Sequence, residues 1–201
     1  MKNSTFNYFV FLSLFLLLFG ACAKSKKASN SPSASHVVNK DQKQPETNTI
    51  KWISLAEAEK LSKKKPRKVM IDVYTDWCGW CKKLDRETFI QPDVVAYVNE
   101  HFYAVKLNGE HPETLTFKGK DYSFIKNGMK GYNALAAELL QGSLGYPSMV
   151  FLDEKLNRLQ SLPGYKDASS LDAILHFYAE DAHKKTSLEN FVAQFQSKIS
   201  K

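Results

Sequence analysis

Asp72-Val-Tyr-Thr-Asp-Trp-Cys-Gly-Trp-Cys-Lys82 passes from strand to helix across two cysteines. It starts inside Val69-Met-Ile-Asp-Val-Tyr-Thr75, a nearly continuous apolar run rich in β-branched residues. That pattern predicts a central strand covered on both faces. It leads into Lys82-Lys-Leu-Asp-Arg-Glu-Thr-Phe89, a helical stretch. Cys78 and Cys81 therefore stand in C-x-x-C spacing where a buried strand opens into a helix. Redox thiol chemistry needs this placement. The thiolate is the reactive form, and a helix N-terminus lowers a thiol's pKa through its free N–H groups and dipole. The first cysteine is expected at the exposed turn and the second about one turn inward. Cys78 is thus the expected nucleophile toward a partner disulfide, and Cys81 the residue that resolves the mixed disulfide.

Other uses of a C-x-x-C pair compete with this one. Zinc needs two more ligands, but there is no second C-x-x-C, and His36, His101, His111, His176 and His183 show no paired ligand spacing. A c-type haem needs histidine directly after the pair, where Lys82 stands. A purely structural disulfide remains open, although so short a ring stabilises little. No metal or other cofactor is expected beyond a redox-active Cys78–Cys81 disulfide.

Ser54-Leu-Ala-Glu57 is a capping box that opens a helix to about Lys64, with Leu55, Ala58 and Leu61 on one side. Pro66 stops it. Pro92-Asp93 starts a helix through about His101, and Phe102 to Leu107 reads as a strand. Residues 109–142 hold turn signals at Asn108-Gly109 and His111-Pro112, and a helix is expected from Tyr132 to Leu140. Strands are expected over Pro147–Leu152 and Arg158–Leu162, the second antiparallel. Leu171, Ile174, Leu175 and Tyr178 mark one helix face. Thr186-x-x-Glu189 is expected to cap a last helix over 186–199. Alternating βα units imply a sheet with parallel neighbours and helices on both faces.

The chain has 201 residues, 43% hydrophobic and 24% charged, values that fit a globular domain and exclude bulk disorder and collagen-like architecture. Three cysteines are too few for a disulfide scaffold. The net charge of +7 is spread out: residues 50–201 carry 22 basic and 19 acidic side chains, too even for a nucleic-acid surface. The run Lys63-Lys-Lys-Pro-Arg-Lys68 reads as a solvated helix end.

Before the domain, Tyr8 to Phe19 is an apolar run of signal-peptide length. It ends in Phe19-Gly20-Ala21-Cys22, which resembles the lipobox of bacterial lipoproteins, with Phe19 where an aliphatic residue is usual. That resemblance implies cleavage after residue 21 and lipidation of Cys22. An ordinary signal peptide or an uncleaved anchor would leave Cys22 incidental. Residues 22–49, rich in serine and lysine, read as the lipidated cysteine and a flexible tether. Lysines beside an acylated cysteine suit an anionic membrane surface.

The segment from Asp72 to Lys82 resembles the active-site segment of the thioredoxin superfamily, and Trp-Cys-Gly-Trp-Cys-Lys is similar to periplasmic thioredoxin-like proteins and to the C-terminal domain of the DsbD electron-transfer family. Gly145-Tyr-Pro-Ser148 resembles the cis-proline loop, which implies that Pro147 lies opposite the cysteines. Asp72 matches the buried acid and Lys106 the lysine that pairs with it. The resemblance implies an α/β thioredoxin fold over residues 50–201: a central mixed sheet flanked by helices, an insertion at about 109–142 before the cis-proline strand, and an extra C-terminal helix. Gly-Trp between the cysteines departs from the Gly-Pro of thioredoxins, so redox direction is not inherited.

Site expectations follow. Aspartate is depleted in strands, so Asp72 is either a proton acceptor for Cys81 with a raised pKa, acting through water, or half of a structural ion pair with Lys106. Trp77, Gly79, Trp80, Tyr146 and Pro147 are expected to bind the substrate peptide, the aromatic members as an apolar rim. The expected protein is a monomeric, lipid-anchored thiol–disulfide oxidoreductase of the bacterial cell envelope, facing the periplasm. Its partners are protein disulfide clients and a membrane electron donor of the DsbD type. An oxidase or isomerase, and a non-catalytic client-binding module, are the competing readings.

Overall fold

The computed structural model describes residues 49–199. The signal segment 1–21, Cys22 and nearly all of the tether lie outside these residues. Among the described residues, no helix is long and apolar enough to cross a membrane.

Helix α1 (Leu55–Lys64) begins where the capping box places it: Ser54 Oγ accepts the Glu57 N–H at 3.1 Å. Strand β2 (Lys68–Tyr74) is buried along nearly its whole length. Helix α2 (Gly79–Glu87) follows, then α3 (Pro92–His101), with proline in its first turn, and strand β3 (Phe102–Asn108). Strands β8 (Ser148–Leu152) and β9 (Arg158–Pro163) and helix α5 (Ala168–Ala179) complete the layered core. A short edge strand β1 (Trp52–Ile53), unmarked by any local pattern, precedes α1.

The central sheet has the order β1-β3-β2-β8-β9. β1, β3 and β2 run parallel, and β8 pairs antiparallel with β2 and β9. Alternation along β2 sends Val69, Ile71 and Val73 to one face and Met70 and Asp72 to the other. The first face is covered by Ala58 of α1 and by Leu135 and Leu139, the second by Leu84 of α2, Val94 and Val98 of α3, and Leu171 and Leu175 of α5. A strand covered on both sides must be apolar throughout, which is why β2 reads as one run.

The insertion corrects the expected helix from Tyr132. Residues 109–133 form two antiparallel hairpins, β4 (Leu115–Phe117) with β5 (Lys120–Tyr122), and β6 (Phe124–Asn127) with β7 (Lys130–Asn133). Helix α4 runs only over Ala134–Leu139. Tyr132 pairs with Ile125 inside the second hairpin. Asn133 starts the helix instead: its Oδ1 accepts the Leu135 N–H at 3.0 Å, while Nδ2 donates to the carbonyls of His111 and Glu113.

The last helix is also shorter than expected. Helix α6 spans Leu188–Gln194, and its cap is Ser187, whose Oγ accepts the Asn190 N–H, not Thr186. Beyond it the chain turns back onto α5, with Ser197 Oγ donating to Asp172 Oδ2 at 2.6 Å. That tertiary contact replaces a further helical turn. Lys68 departs from the solvated run assigned to it. It is buried, with Nζ 2.7 Å from Glu154 and 2.9 Å from Asp181, because two carboxylates offset its desolvation.

Candidate active site

β2 ends at Tyr74, and the chain reverses so that Cys78 becomes the N-cap of α2. Its Sγ accepts the Cys81 N–H at 3.0 Å and is bonded to Cys81 Sγ at 2.05 Å. A helix-terminal N–H aimed at a sulfur favours negative charge on that sulfur once the disulfide opens. Cys81 faces inward beside the buried Leu84. The expectation of an exposed first cysteine needs correction: Cys78 is 4% accessible and Cys81 2%. Both side chains fold back over the helix start, one as cap and one as bond partner. Trp77 and Trp80, 60% and 58% accessible, carry the exposed surface on either side. Gly79, between the cysteines, is open: a Cβ added there would meet nothing within 4 Å.

Asp72 is fully buried on the sheet face that α2 covers. Its register partner across β3 is Lys106, whose Nζ lies 3.2 Å from Asp72 Oδ2. Neither carboxylate oxygen accepts a well-formed hydrogen bond. Burial raises the Asp72 pKa to about 6, with Lys106 opposing the shift. Burial pulls Lys106 down, but the carboxylates of Asp72 and Asp85 together carry it above its ordinary value.

Asp85 is the site residue that sequence reading missed. It lies on α2 and shares the Lys106 ammonium with Asp72 in an ion pair. Its position four residues after Cys81 was the available signal, since i and i+4 share a helix face. The Lys106 ammonium also sits over the rings of Tyr74 (5.0 Å) and Trp52 (5.3 Å).

The Tyr146–Pro147 peptide bond is cis. The half-buried Tyr146 meets Trp77 edge to face, with ring centroids 6.2 Å apart. The fit is close: a Cβ on Gly109 would stand 2.4 Å from the Tyr146 hydroxyl. Trp77 is held further by Nε1–H donation to Glu110 at 3.0 Å and by the Lys130 ammonium 5.2 Å from its ring. Trp77, the residue before Cys78, and Tyr146 thus form one aromatic pair. Trp80 turns elsewhere, to Tyr165 at 5.6 Å, with Lys83 over both rings. Tyr165 follows β9, and no local pattern pointed to it.

Residues 55–179 match a family model described as a thioredoxin-like domain. The chain is 25% identical over 152 residues to the thiol:disulfide interchange protein DsbD of Vibrio vulnificus, covering 71% of this chain and 22% of that protein. It is 26% identical over 166 residues to DsbD of Colwellia psychrerythraea, covering 81% and 24%. The chain therefore spans less than a quarter of the length of these relatives. The solved structure of a DsbH oxidoreductase aligns with a TM-score of 0.49 at 18% identity, over 71% of this chain and 93% of that one.

Proposed function

The chain belongs to the thioredoxin-like domain family, and from this we propose that it is a thiol–disulfide oxidoreductase working as a reductant of protein disulfides. We place it in the bacterial envelope, tethered through a lipid on Cys22 and facing the periplasm. The observation that carries the activity is the position of Cys78: it caps α2, and its sulfur accepts a helix N–H beside Cys81.

In the reduced protein the Cys78 thiolate attacks one sulfur of a client disulfide. The client S–S bond breaks, and one client sulfur leaves as a thiolate that takes a proton. Cys81 then loses its proton to Asp72, which acts through water, and attacks Cys78 Sγ. The second client sulfur departs as a thiol, leaving the Cys78–Cys81 disulfide. Two electrons and two protons have passed to the client. Lys106 keeps the Asp72 pKa from rising further, so the carboxylate can still accept a proton near neutrality. A membrane donor of the DsbD type returns two electrons. Trp77, Gly79, Tyr146 and Pro147 line the approach of the client to Cys78, and Trp80 with Tyr165 borders its other side.

The test is the reduction potential of the full chain, equilibrated against glutathione buffers. A value near or below about −230 mV supports a reductant, whereas one near about −120 mV belongs to an oxidant. Failure of Cys78 and Cys81 to cycle at any poise would leave only a binding role.

A further inference from the structure

The β6–β7 hairpin pairs with no other strand among the described residues, and every residue of β6 is exposed. Its tip presents Met129, fully exposed, and Ile125, lower in the hairpin opposite Tyr132, is 43% accessible. Residues 124–133 contain Lys126 and Lys130 and no acid. Among the described residues, neither lysine has a carboxylate within ion-pair distance. The hairpin is nevertheless tied to the reactive end of the molecule. The Lys130 ammonium rests on Trp77, the residue before Cys78, and Glu110 holds the indole from its other end through Nε1. Phe124 closes over Gly131, where a Cβ would stand 2.2 Å from its ring, so the hairpin is packed at its base and open toward its tip.

The register puts Ile125 and Lys130 on one face of the ribbon and Lys126 on the other. An exposed apolar side chain and a cation without a carboxylate partner on one face, continuous with the aromatic residue next to a nucleophilic sulfur, make a surface of defined chemistry. We propose that this hairpin is a client-docking arm that holds an extended client segment carrying both carboxylate and aliphatic side chains next to its disulfide. Apolar side chains of the client lie on Ile125 and Met129, its carboxylates face Lys130 while Lys126 adds positive charge from the other face of the ribbon, and its disulfide reaches Cys78 past Trp77. The inference rests on the oxidoreductase reading above and adds the class of client.

The test uses the full chain, reduced and freed of excess reductant, mixed with two synthetic disulfide-ring peptides of equal length. One carries Asp and Glu with Leu beside its cysteines; the other carries Lys in place of the acids. Second-order reduction rates give a ratio of acidic to basic peptide. At low ionic strength that ratio is expected to favour the acidic peptide by about tenfold, and to shrink as salt screens the charges. The double variant K126E/K130E should reverse the preference. The single variant Lys126→Glu, at a side chain clear of Trp77, should move it in the same direction by a smaller factor. Reduction of both peptides with one ratio in all three proteins would overturn the docking arm alone. So would loss of binding to phosphatidylglycerol vesicles in the double variant while the peptide ratio stays unchanged, because the arm would then serve a lipid surface. A wild-type protein that reduces neither peptide would overturn the oxidoreductase reading and the arm with it.

Discussion

The Lys106 ammonium lies 3.2 Å from Asp72 Oδ2, across paired neighbouring strands, and reaches Asp85 on α2 at the same time. One partly exposed cation thus serves a buried carboxylate under the active-site helix and a second carboxylate on that helix. The Asp72 pKa of about 6 reflects a desolvation penalty that this cation only partly offsets.

Asp72 should make stability fall as pH rises. Its pKa is raised from 3.8 to about 6, so its favourable contribution is complete below about pH 4 and is lost as pH climbs through 6. Asp72→Asn should remove this slope. The variant should match wild type near pH 4 and exceed it at pH 7 by up to about 3 kcal/mol. Urea unfolding at both pH values checks this. The same variant should slow resolution of a mixed disulfide by about 100-fold.

Lys106→Met should shift the reaction toward alkaline pH. Without the ammonium, burial acts unopposed on Asp72, and its pKa rises beyond about 6. The pH profile of mixed-disulfide resolution reports the change. A profile that overlays wild type would make Lys106 a purely structural partner.

Cys81→Ser should accumulate mixed disulfides with clients on non-reducing gels, and Cys78→Ser should not. The helix N–H points at Cys78, which makes it the favoured thiolate. Equal trapping by both variants would contradict the assigned roles.

Two glycines should respond oppositely to alanine. At Gly109 a Cβ collides with the Tyr146 ring, so Gly109→Ala should cost about 1–3 kcal/mol and disturb Trp77 fluorescence through the Tyr146 contact. At Gly79 the space is open, and Gly79→Ala at the start of α2 should leave stability unchanged or raise it by about 0.5 kcal/mol. Thermal melts of the two oxidised variants give the comparison.

Asn133→Ala should loosen the insertion. The side chain is fully buried, caps α4 and bonds the carbonyls of His111 and Glu113. Its loss should cost about 3 kcal/mol. Faster amide exchange in residues 109–139 than in β2 would locate the effect.

Local patterning in the chain specified strand β2, the helices around it and the cysteine pair at the strand–helix junction. These depend on neighbours: the unbroken apolar run of β2, the Ser54 cap, the proline that starts α3. It also marked Asp72 and Lys106 as partners and the Tyr146–Pro147 bond as cis, through the family resemblance. Packing between elements set that Asp85 shares the lysine, that Cys78 is as buried as Cys81, and that Trp77 meets Tyr146 while Trp80 turns to Tyr165. It decided too that Tyr132 lies in a hairpin and that α6 stops at Gln194. In each case the deciding contact joins side chains from different elements, and the energy of such a contact depends on how the chain packs, which local periodicity does not record.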